Sequence, residues 1–521
     1  MNLLKSLTMV SIITLLSRLL GFIRDSFIAK IFGAGVYSDS FFMAFKLPNL
    51  LRRIFAEGAF SQAFTPVLAE YKNKRNIIET KEFISAVLGI LTILLIIVVL
   101  FGIIFSSLIV SIIAPGFVTT SYKLILTSKM LKITFPYIFL ISLSSLASSI
   151  LNIWKNFLVP ALTPILLNLC MIFFIMFFPL YFDPPVLILA WSVIIGGFIQ
   201  LIYQLVYLKK INMLVFPRCQ YVIYNNINGV IKVFQKMGIA IIGVSATQIS
   251  LLINSVFASF LITGSVTWIY YADRLMELPI GMFAVALSIV LLPALTDAFT
   301  TNNEKEYNKL IDLGLRLCFI LIVPSSLILG FFSKMLLICL FQYGAFTYFD
   351  VLMTQKNLVI YAIGLLFIIT SKVLALGYYA RQNVRTPVLI AIFVLIITQL
   401  ISPIFIFFLS HIGFAISICL AAFLNFILLL NKLVRNKIYI PEPGWYNFLI
   451  RITAVTMVLG LILSFFSIMI SDQWLILSDL KFRIIFLCII CFFVLILYML
   501  VLFLLGFRVQ EFSLHKYKNN Y

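Results

Sequence analysis

The chain has 521 residues, of which 63% are hydrophobic and only 11% are charged, and its formal net charge is +20. Soluble domains carry roughly 25% charged and 45–50% apolar residues. The composition therefore excludes a soluble enzyme, a disordered chain and a secreted disulfide scaffold, and it predicts an all-α polytopic membrane protein. The basic excess is then expected in cytoplasmic loops, and no nucleic-acid partner is expected.

Apolar stretches long enough for membrane-spanning helices of about 20 residues follow one another along the whole chain. They predict about fourteen transmembrane helices with short connections, so neighbouring helices run antiparallel and no soluble domain intervenes. The predicted spans, numbered one to fourteen in this order, are 7–32, 38–66, 83–114, 125–151, 159–180, 185–208, 238–263, 270–297, 310–333, 352–378, 386–409, 412–431, 449–471 and 483–506.

Spans one, two and eight carry ionisable side chains, each of which costs roughly 2.5–3.5 kcal/mol at the centre of a membrane helix. A step of seven residues returns to nearly the same face of a helix, so Asp39, Lys46 and Arg53 form one polar stripe along span two. Such a stripe predicts a water-filled space beside it. The candidate site residues on these spans are Ser17, Arg18, Arg24, Asp25, Asp39, Lys46, Asn49, Arg52, Arg53, Glu57, Asp273, Arg274 and Glu277.

Two interpretations of these charges stay open at this point. The carboxylates can form salt bridges that lock the protein together, and Arg274 and Glu277, three residues apart, can pair along one helix. The basic residues outnumber the nearby carboxylates, however, and the planar guanidinium fork suits phosphate oxygens. The pattern therefore favours a cationic cavity, and a phosphate-bearing amphiphile fits that cavity better than a cationic drug does.

Basic residues are concentrated in alternate connections between the predicted spans. By the positive-inside rule the rich connections are cytoplasmic, and both termini then face the cytoplasm. The rich set is Lys72, Lys74, Arg75, Lys81, Lys155, Lys209, Lys210, Arg218, Lys232, Lys236, Lys305, Lys309, Arg381, Arg385, Lys432, Arg435, Lys437, Arg508, Lys516 and Lys518, and the poor set is Lys123, Lys334 and Lys481.

Short matches indicate an internal repeat. LTSKMLKI at Leu126–Ile133 is similar to MTQKNLVI at Met353–Ile360, and TPIL at Thr163–Leu166 is similar to TPVL at Thr386–Leu389. The matches fall on spans four and five and on spans ten and eleven, which predicts two six-helix lobes in the same orientation around a central cationic cavity, with two extra helices. The predicted division is an N-terminal lobe at 1–210, a cytoplasmic connection at 211–237, a C-terminal lobe at 238–437, and the last two helices with a cytoplasmic tail at 438–521.

Longer motifs resemble one known family. SRLLGFIRDSFIAKIFGAG at Ser17–Gly35, KLPNLLRRIFAEGAFSQAF at Lys46–Phe64 and SVTWIYYADRLMELPIG at Ser265–Gly281 closely resemble the MurJ (MviN) family of lipid II flippases, and the resemblance continues through FQYGAFTYFD at Phe341–Asp350 to PEPGW at Pro441–Trp445. The resemblance implies a fourteen-helix fold of the multidrug/oligosaccharidyl-lipid/polysaccharide (MOP) exporter superfamily. It also implies transport, by alternating access, of the undecaprenyl-diphosphate-linked peptidoglycan precursor from the cytoplasmic to the periplasmic leaflet of the bacterial inner membrane.

The resemblance also assigns roles to individual residues. Four arginines matter most in the family, and they match Arg18, Arg24, Arg52 and Arg274. Other charged positions of the family match Asp25, Asp39, Lys46, Arg53, Glu57, Asp273 and Glu277, and with Ser17 and Asn49 these residues are expected to support the cavity. Lipid II in the membrane is the implied partner, no cofactor or metal is implied, and we expect a monomer. Some members have a sodium site built around an intramembrane aspartate, but spans seven, eleven and twelve contain no aspartate here, which argues against sodium coupling.

Two other functions deserve comparison with a flippase. An exporter of another polyprenyl-linked glycan or of a drug would share the superfamily fold. A membrane glycosyltransferase or ligase would need a catalytic carboxylate in an outward loop, where Asp183, Asp350, Asp472 and Asp479 are isolated. The chain has no GxxxxGK[ST] motif, so ATP is not the expected energy source, and a membrane potential and an ion gradient both stay open.

Overall fold

The computed structural model describes residues 3–53, 60–218, 227–470 and 479–507, and these residues are almost entirely helical with no β-strand. Helices predominate because a lipid-exposed backbone must satisfy its hydrogen bonds within the segment. The chain forms two compact units, Met1–Thr267 and Trp268–Tyr521.

In the first unit, α1 packs on α8, α8 packs on α9, and α2 packs on α6. The last helix of the unit, α10, packs on α3, α4 and α5. The helices are α1 (Leu3–Phe32), α2 (Val36–Leu51), α3 (Ser61–Lys74), α4 (Ile77–Ile104), α5 (Ser106–Ile113), α6 (Ser121–Thr134), α7 (Tyr137–Ile153), α8 (Leu158–Phe177), α9 (Leu187–Lys210) and α10 (Ile227–Ser259).

The second unit is built around α15, which packs on both α13 and α17. Pro279 ends α11, and a π-helical turn at Ile280–Ala284 follows before α12, as expected where a proline removes a backbone donor. The helices are α11 (Ser265–Pro279), which begins at the end of the first unit, α12 (Val285–Thr300), α13 (Glu304–Phe331), α14 (Ser333–Phe341), α15 (Tyr348–Ala380), α16 (Arg385–Leu409), α17 (Ile412–Arg435), α18 (Trp445–Met469) and α19 (Leu480–Leu504).

The helices coincide with the predicted spans. Within the described residues, eleven helical segments are long and apolar enough to cross a membrane, and each matches one predicted span. The remaining three predicted spans match α1, the α2–α3 segment and α10, of which α10 contributes a shorter apolar stretch, Gln248–Ser259. The two compact units meet at Thr267 in the chain. The predicted lobe boundaries at 210 and 238 stay a prediction.

A buried carboxylate ties α18 to α13 inside the second unit. Asp312 is 3% exposed, and it accepts a hydrogen bond of 2.7 Å from the Tyr439 hydroxyl and another from the Trp445 indole nitrogen. The Arg316 guanidinium lies 2.8 Å from the same carboxylate. Burial and the hydrogen bond to Asp312 raise the pKa of Tyr439 well above its usual range, so the phenol stays protonated and remains a donor.

Candidate functional site

Arg24 is held firmly between α1 and α8. Its guanidinium lies 2.6 Å from the carboxylate of Asp25, which is fully buried, and the Arg24 side chain itself is 13% exposed. Asn168 of α8 accepts a 3.1 Å hydrogen bond from Arg24 Nη1, and its amide nitrogen donates to the Ser17 carbonyl at 3.2 Å. Asn168 therefore fixes both the Arg24 fork and the neighbouring turn of α1.

Arg18 lies on α1 about two turns before Asp25 and is partly exposed. It makes no hydrogen bond or ion pair with the residues that the structure describes. A partly exposed guanidinium of this kind can bind an anion without first breaking a protein contact. Ser17 contributes its backbone carbonyl, through the hydrogen bond from Asn168.

Lys46 and Asn49 lie in the last turns of α2, and Arg52 and Arg53 follow directly after it. All four are partly exposed. Asn49 Oδ1 accepts hydrogen bonds from Arg52 Nε at 3.0 Å and from Arg52 Nη2 at 2.8 Å, which orients the guanidinium. Pro48 lies inside α2, and the helix becomes π-helical at 52–53. Glu57, the other charged residue predicted in this span, lies outside the described residues.

Asp39 does not lie in an aqueous stripe, contrary to the expectation from its spacing. It is 1% exposed, and its carboxylate accepts hydrogen bonds from the backbone nitrogens of Gly264, at 2.7 Å, and Thr267, at 3.0 Å, and from the Thr267 hydroxyl at 2.7 Å. An anion at a helix N-terminus satisfies the free backbone donors of the first turn. In this structure Asp39 therefore caps the start of α11.

The segment that joins α10 to α11 makes further contacts within the first unit. Lys123, at the start of α6, donates a 2.7 Å hydrogen bond to the Thr263 hydroxyl, and the Gly116 backbone nitrogen donates to the Ser259 hydroxyl at 2.9 Å. Together with Asp39, these contacts fix the segment that joins α10 to α11 against the ends of α2 and α6. We call this set of contacts the α11 cap.

In the second unit, α11 presents Asp273, Arg274 and Glu277. Arg274 Nη1 lies 3.6 Å from the Glu277 carboxylate, which confirms the predicted pairing along the helix. Lys372 of α15 is exposed and interacts electrostatically with Glu277. The carboxylate of Asp273 interacts with the Tyr361 side chain of α15. Arg274 and Lys372 therefore both interact with the exposed carboxylate of Glu277.

Sequence reasoning missed Lys372 and Asn168. Lys372 is an ionisable residue inside predicted span ten, so the criterion that identified spans one, two and eight would also have found it. Asn168 gave no such signal, because a single amide inside an apolar helix is not unusual and its contact with Arg24 joins residues 144 positions apart. Within the described residues, no three His, Cys, Asp or Glu side chains lie close enough together to hold a metal ion.

Comparison with solved structures defines the class of protein. An inward-facing multidrug resistance MATE family transporter of the MOP superfamily aligns with a TM-score of 0.66 at 14% identity, over 81% of this chain and 94% of that one. A lipid II flippase MurJ in the inward closed conformation aligns with a TM-score of 0.77 at 26% identity, over 95% and 97% of the two chains. The fold is that of a multi-pass MOP-superfamily transporter.

Sequence comparison defines the family. The family model described as lipid II flippase MurJ matches residues 28–486. A probable lipid II flippase MurJ of Buchnera aphidicola subsp. Baizongia pistaciae is 49% identical over 99% of this chain and 100% of its own length, and the lipid II flippase MurJ of Burkholderia cenocepacia is 44% identical over 88% and 89%. The chain belongs to the lipid II flippase MurJ family, which confirms the resemblance of its motifs, and this is a family of transporters rather than enzymes.

Proposed function

We propose that this protein flips lipid II, the undecaprenyl-diphosphate-linked peptidoglycan precursor, from the cytoplasmic to the periplasmic leaflet by alternating access. Membership of the family over almost the full chain supports the proposal. We further propose that it acts as a monomer in the bacterial inner membrane, with both termini in the cytoplasm. No bond of the substrate is made or broken, so no nucleophile or general base is needed.

The exposure of Arg18 and the fixed orientations of Arg24 and Arg52 support the assignment of the binding residues. Arg24 and Arg52 are held by neighbouring Asn168 and Asn49, so little side-chain freedom is lost when they bind a ligand. Guanidinium groups bind phosphate oxygens through charge-assisted, often paired hydrogen bonds. We propose that these three arginines, with Arg274 of the second unit, bind the diphosphate and its neighbouring sugars.

An anionic head group would also change the balance between conformations. Clustered cations repel one another when no anion is bound, so a conformation that brings them together becomes more favourable with lipid II in place. Release toward the periplasm would then require the α11 cap to open, since Asp39 and Lys123 hold the segment before α11. This scheme assigns Asp39 to gating rather than to substrate binding.

Transport itself is tested with the purified protein in vesicles that contain fluorescent lipid II in the inner leaflet. We expect lipid II to become accessible to an external quencher faster than in protein-free vesicles. Vesicles with another polyprenyl-diphosphate glycan test the alternative of a different glycan exporter. Equal or faster movement of that second lipid would contradict specificity for lipid II.

Binding by the arginines is tested separately. Each arginine–phosphate contact contributes about 1.5–3 kcal/mol, so Arg18→Ala, Arg24→Ala or Arg52→Ala should each weaken lipid II binding about tenfold or more, since 1.4 kcal/mol corresponds to a factor of ten. Lys30→Ala, on the exposed end of α1, is the matched control and should bind normally. Arg24→Ala combined with Arg52→Ala should be non-additive if both contact one diphosphate. Normal binding by all three variants would refute the assignment.

A further inference from the structure

One face of α15 is polar over its first three turns although it is buried inside the second unit. Asp350, Thr354, Asn357 and Tyr361 follow one another at steps of four, three and four residues, which places them on the same side of the helix. Their exposed fractions are between 0% and 5%. A buried polar face of this length needs hydrogen-bond partners at every turn.

The first two residues of this face, Asp350 and Thr354, have such partners. The Asp350 carboxylate accepts a 2.9 Å hydrogen bond from the Trp268 indole nitrogen and caps its own helix through Thr347. The Thr354 hydroxyl donates to the Asp350 carbonyl at 2.7 Å. Polar atoms at this end of α15 are therefore satisfied by the protein itself.

Asn357 is different. Neither its Oδ1 nor its Nδ2 atom has a hydrogen-bond partner among the residues that the structure describes, and the residue is fully buried. Its amide offers an acceptor and two donors at once. A metal cation would satisfy only the oxygen and an anion only the nitrogen, whereas water can donate to one atom and accept from the other.

A second buried polar group lies near Asn357 on the same face of α15. One turn further along α15, the hydroxyl of the fully buried Tyr361 also has no hydrogen-bond partner among the described residues, and the Asp273 carboxylate of α11 is close enough to interact with it electrostatically. Beyond Tyr361 the buried face becomes apolar at Leu365 and Ile369. At Gly364 the helix packs so tightly on Cys419 of α17 that an added Cβ atom would overlap the sulfur. The buried polar face of α15 therefore ends before this contact.

We propose that Asn357 binds internal water inside the second unit, and that this water forms a hydrogen-bonded link with Tyr361 and Asp273. Bound water would supply hydrogen-bond donors to the Asp273 carboxylate from within the helix bundle. Bound water, rather than basic side chains alone, would then stabilise the charge of Asp273. The proposal concerns the interior of one unit and does not depend on which lipid the protein carries.

Radiolytic hydroxyl-radical labelling of the full-length protein tests this site, because radicals formed from bound water label buried side chains beside it. Tyr361 and Tyr378 are both fully buried tyrosines of α15. We expect Tyr361 to be labelled early and Tyr378, whose hydroxyl donates to the Leu429 carbonyl at 3.5 Å, to stay protected. Equal protection of the two tyrosines in the wild-type protein would overturn the proposal.

Two variants locate the water. Asn357→Leu keeps the size of the side chain but removes its hydrogen-bonding atoms, so labelling of Tyr361 should fall to the level of Tyr378. Thr370→Val is the matched control, since Thr370 is buried in the same helix and its hydroxyl donates to the Leu366 and Phe367 carbonyls of that helix. Unchanged Tyr361 labelling in a folded Asn357→Leu protein would exclude Asn357 as the binding residue.

Discussion

Asn168 shows how one uncharged side chain can set the geometry of a charged one. Its Oδ1 atom accepts from Arg24 and its Nδ2 atom donates to the Ser17 carbonyl. A hydrogen bond to a charged group contributes about 1.5–3 kcal/mol. Asn168→Leu should therefore weaken lipid II binding about tenfold, while the protein remains in the membrane at near-normal levels.

The control for this prediction is Asn425→Leu, an equivalent exchange in α17 that is far from Arg24 in the chain. Lipid II binding should be measured on both purified variants. If Asn168→Leu binds like the control, the Asp25 carboxylate alone is enough to hold Arg24. If Asn168→Leu is lost from the membrane, the hydrogen bond to Ser17 matters more for folding than for binding.

His411, between α16 and α17, makes stability depend on pH. It is 4% exposed and contacts the Met353 carbonyl at 3.2 Å. Burial, with a smaller contribution from nearby Lys356, lowers its pKa below the usual 6.5, although the contact with Met353 opposes this shift. The unfolded chain therefore binds more protons than the folded protein below that pH, so stability falls as pH decreases.

The expected measurement is the unfolding temperature of the purified protein between about pH 7.5 and about pH 5.5. The wild type should lose more stability over this range than His411→Gln, which cannot gain the same proton. Carboxylates elsewhere titrate equally in both proteins, so only the difference between the two slopes reports on His411. Parallel slopes would mean that His411 does not contribute to the acid sensitivity.

The charged candidate residues stand out in the sequence because a charge inside an apolar helix is costly, and their role in binding stays a prediction. Arg24 with Asp25 and Arg274 with Glu277 are both found in contact. Asp39 was placed wrongly, since spacing along one helix cannot reveal that Gly264 and Thr267 supply its partners. Asn168 could not be found at all, because its role exists only once α1 and α8 are packed together.

At the scale of helices, Gly364 permits the close approach of α15 and α17. A Cβ atom at Gly364 would overlap the Cys419 sulfur and lie 2.9 Å from the Cys419 Cβ atom. Overpacking of this kind typically costs about 1–3 kcal/mol. Gly364→Ala should therefore lower the unfolding temperature, and adding Cys419→Gly should restore part of the loss.

Gly330→Ala in α13 is the matched control, because its added Cβ atom would meet Ala362 at 3.8 Å, an ordinary contact. A glycine in a helix interior is less favourable than alanine by about 1 kcal/mol. This variant should therefore be neutral or slightly more stable. Equal unfolding temperatures for Gly364→Ala and the wild type would show that the two helices can separate without cost.

The helices could be predicted because apolar runs of about 20 residues have few alternatives in a membrane. Breaks within them were harder to predict. Pro279 ends α11 and a π-helical turn follows, whereas Pro324 lies inside an uninterrupted α13. A proline alone thus does not decide whether a helix breaks, because packing around it determines how the freed carbonyl is satisfied.

For the whole molecule, orientation in the membrane is the prediction to test. We expect connections rich in lysine and arginine to face the cytoplasm. In a protein without native cysteines, Lys74→Cys and Lys210→Cys should resist a membrane-impermeant thiol reagent in intact cells, whereas Asp183→Cys should react. All three positions are exposed on the protein, so burial does not protect them. The reverse pattern of labelling would invert the topology.

The contacts of Asp312 also bear on how the chain is made. Its partners Tyr439 and Trp445 lie 127 and 133 residues later, so at about 5–20 residues per second they are synthesised roughly 6–27 s after it. Until then the carboxylate must rely on water and on Arg316, one turn away. Insertion of α13 therefore precedes the formation of the hydrogen bonds from Tyr439 and Trp445 to Asp312. A ribosome stalled before residue 439 would leave the Asp312 carboxylate without these two donors.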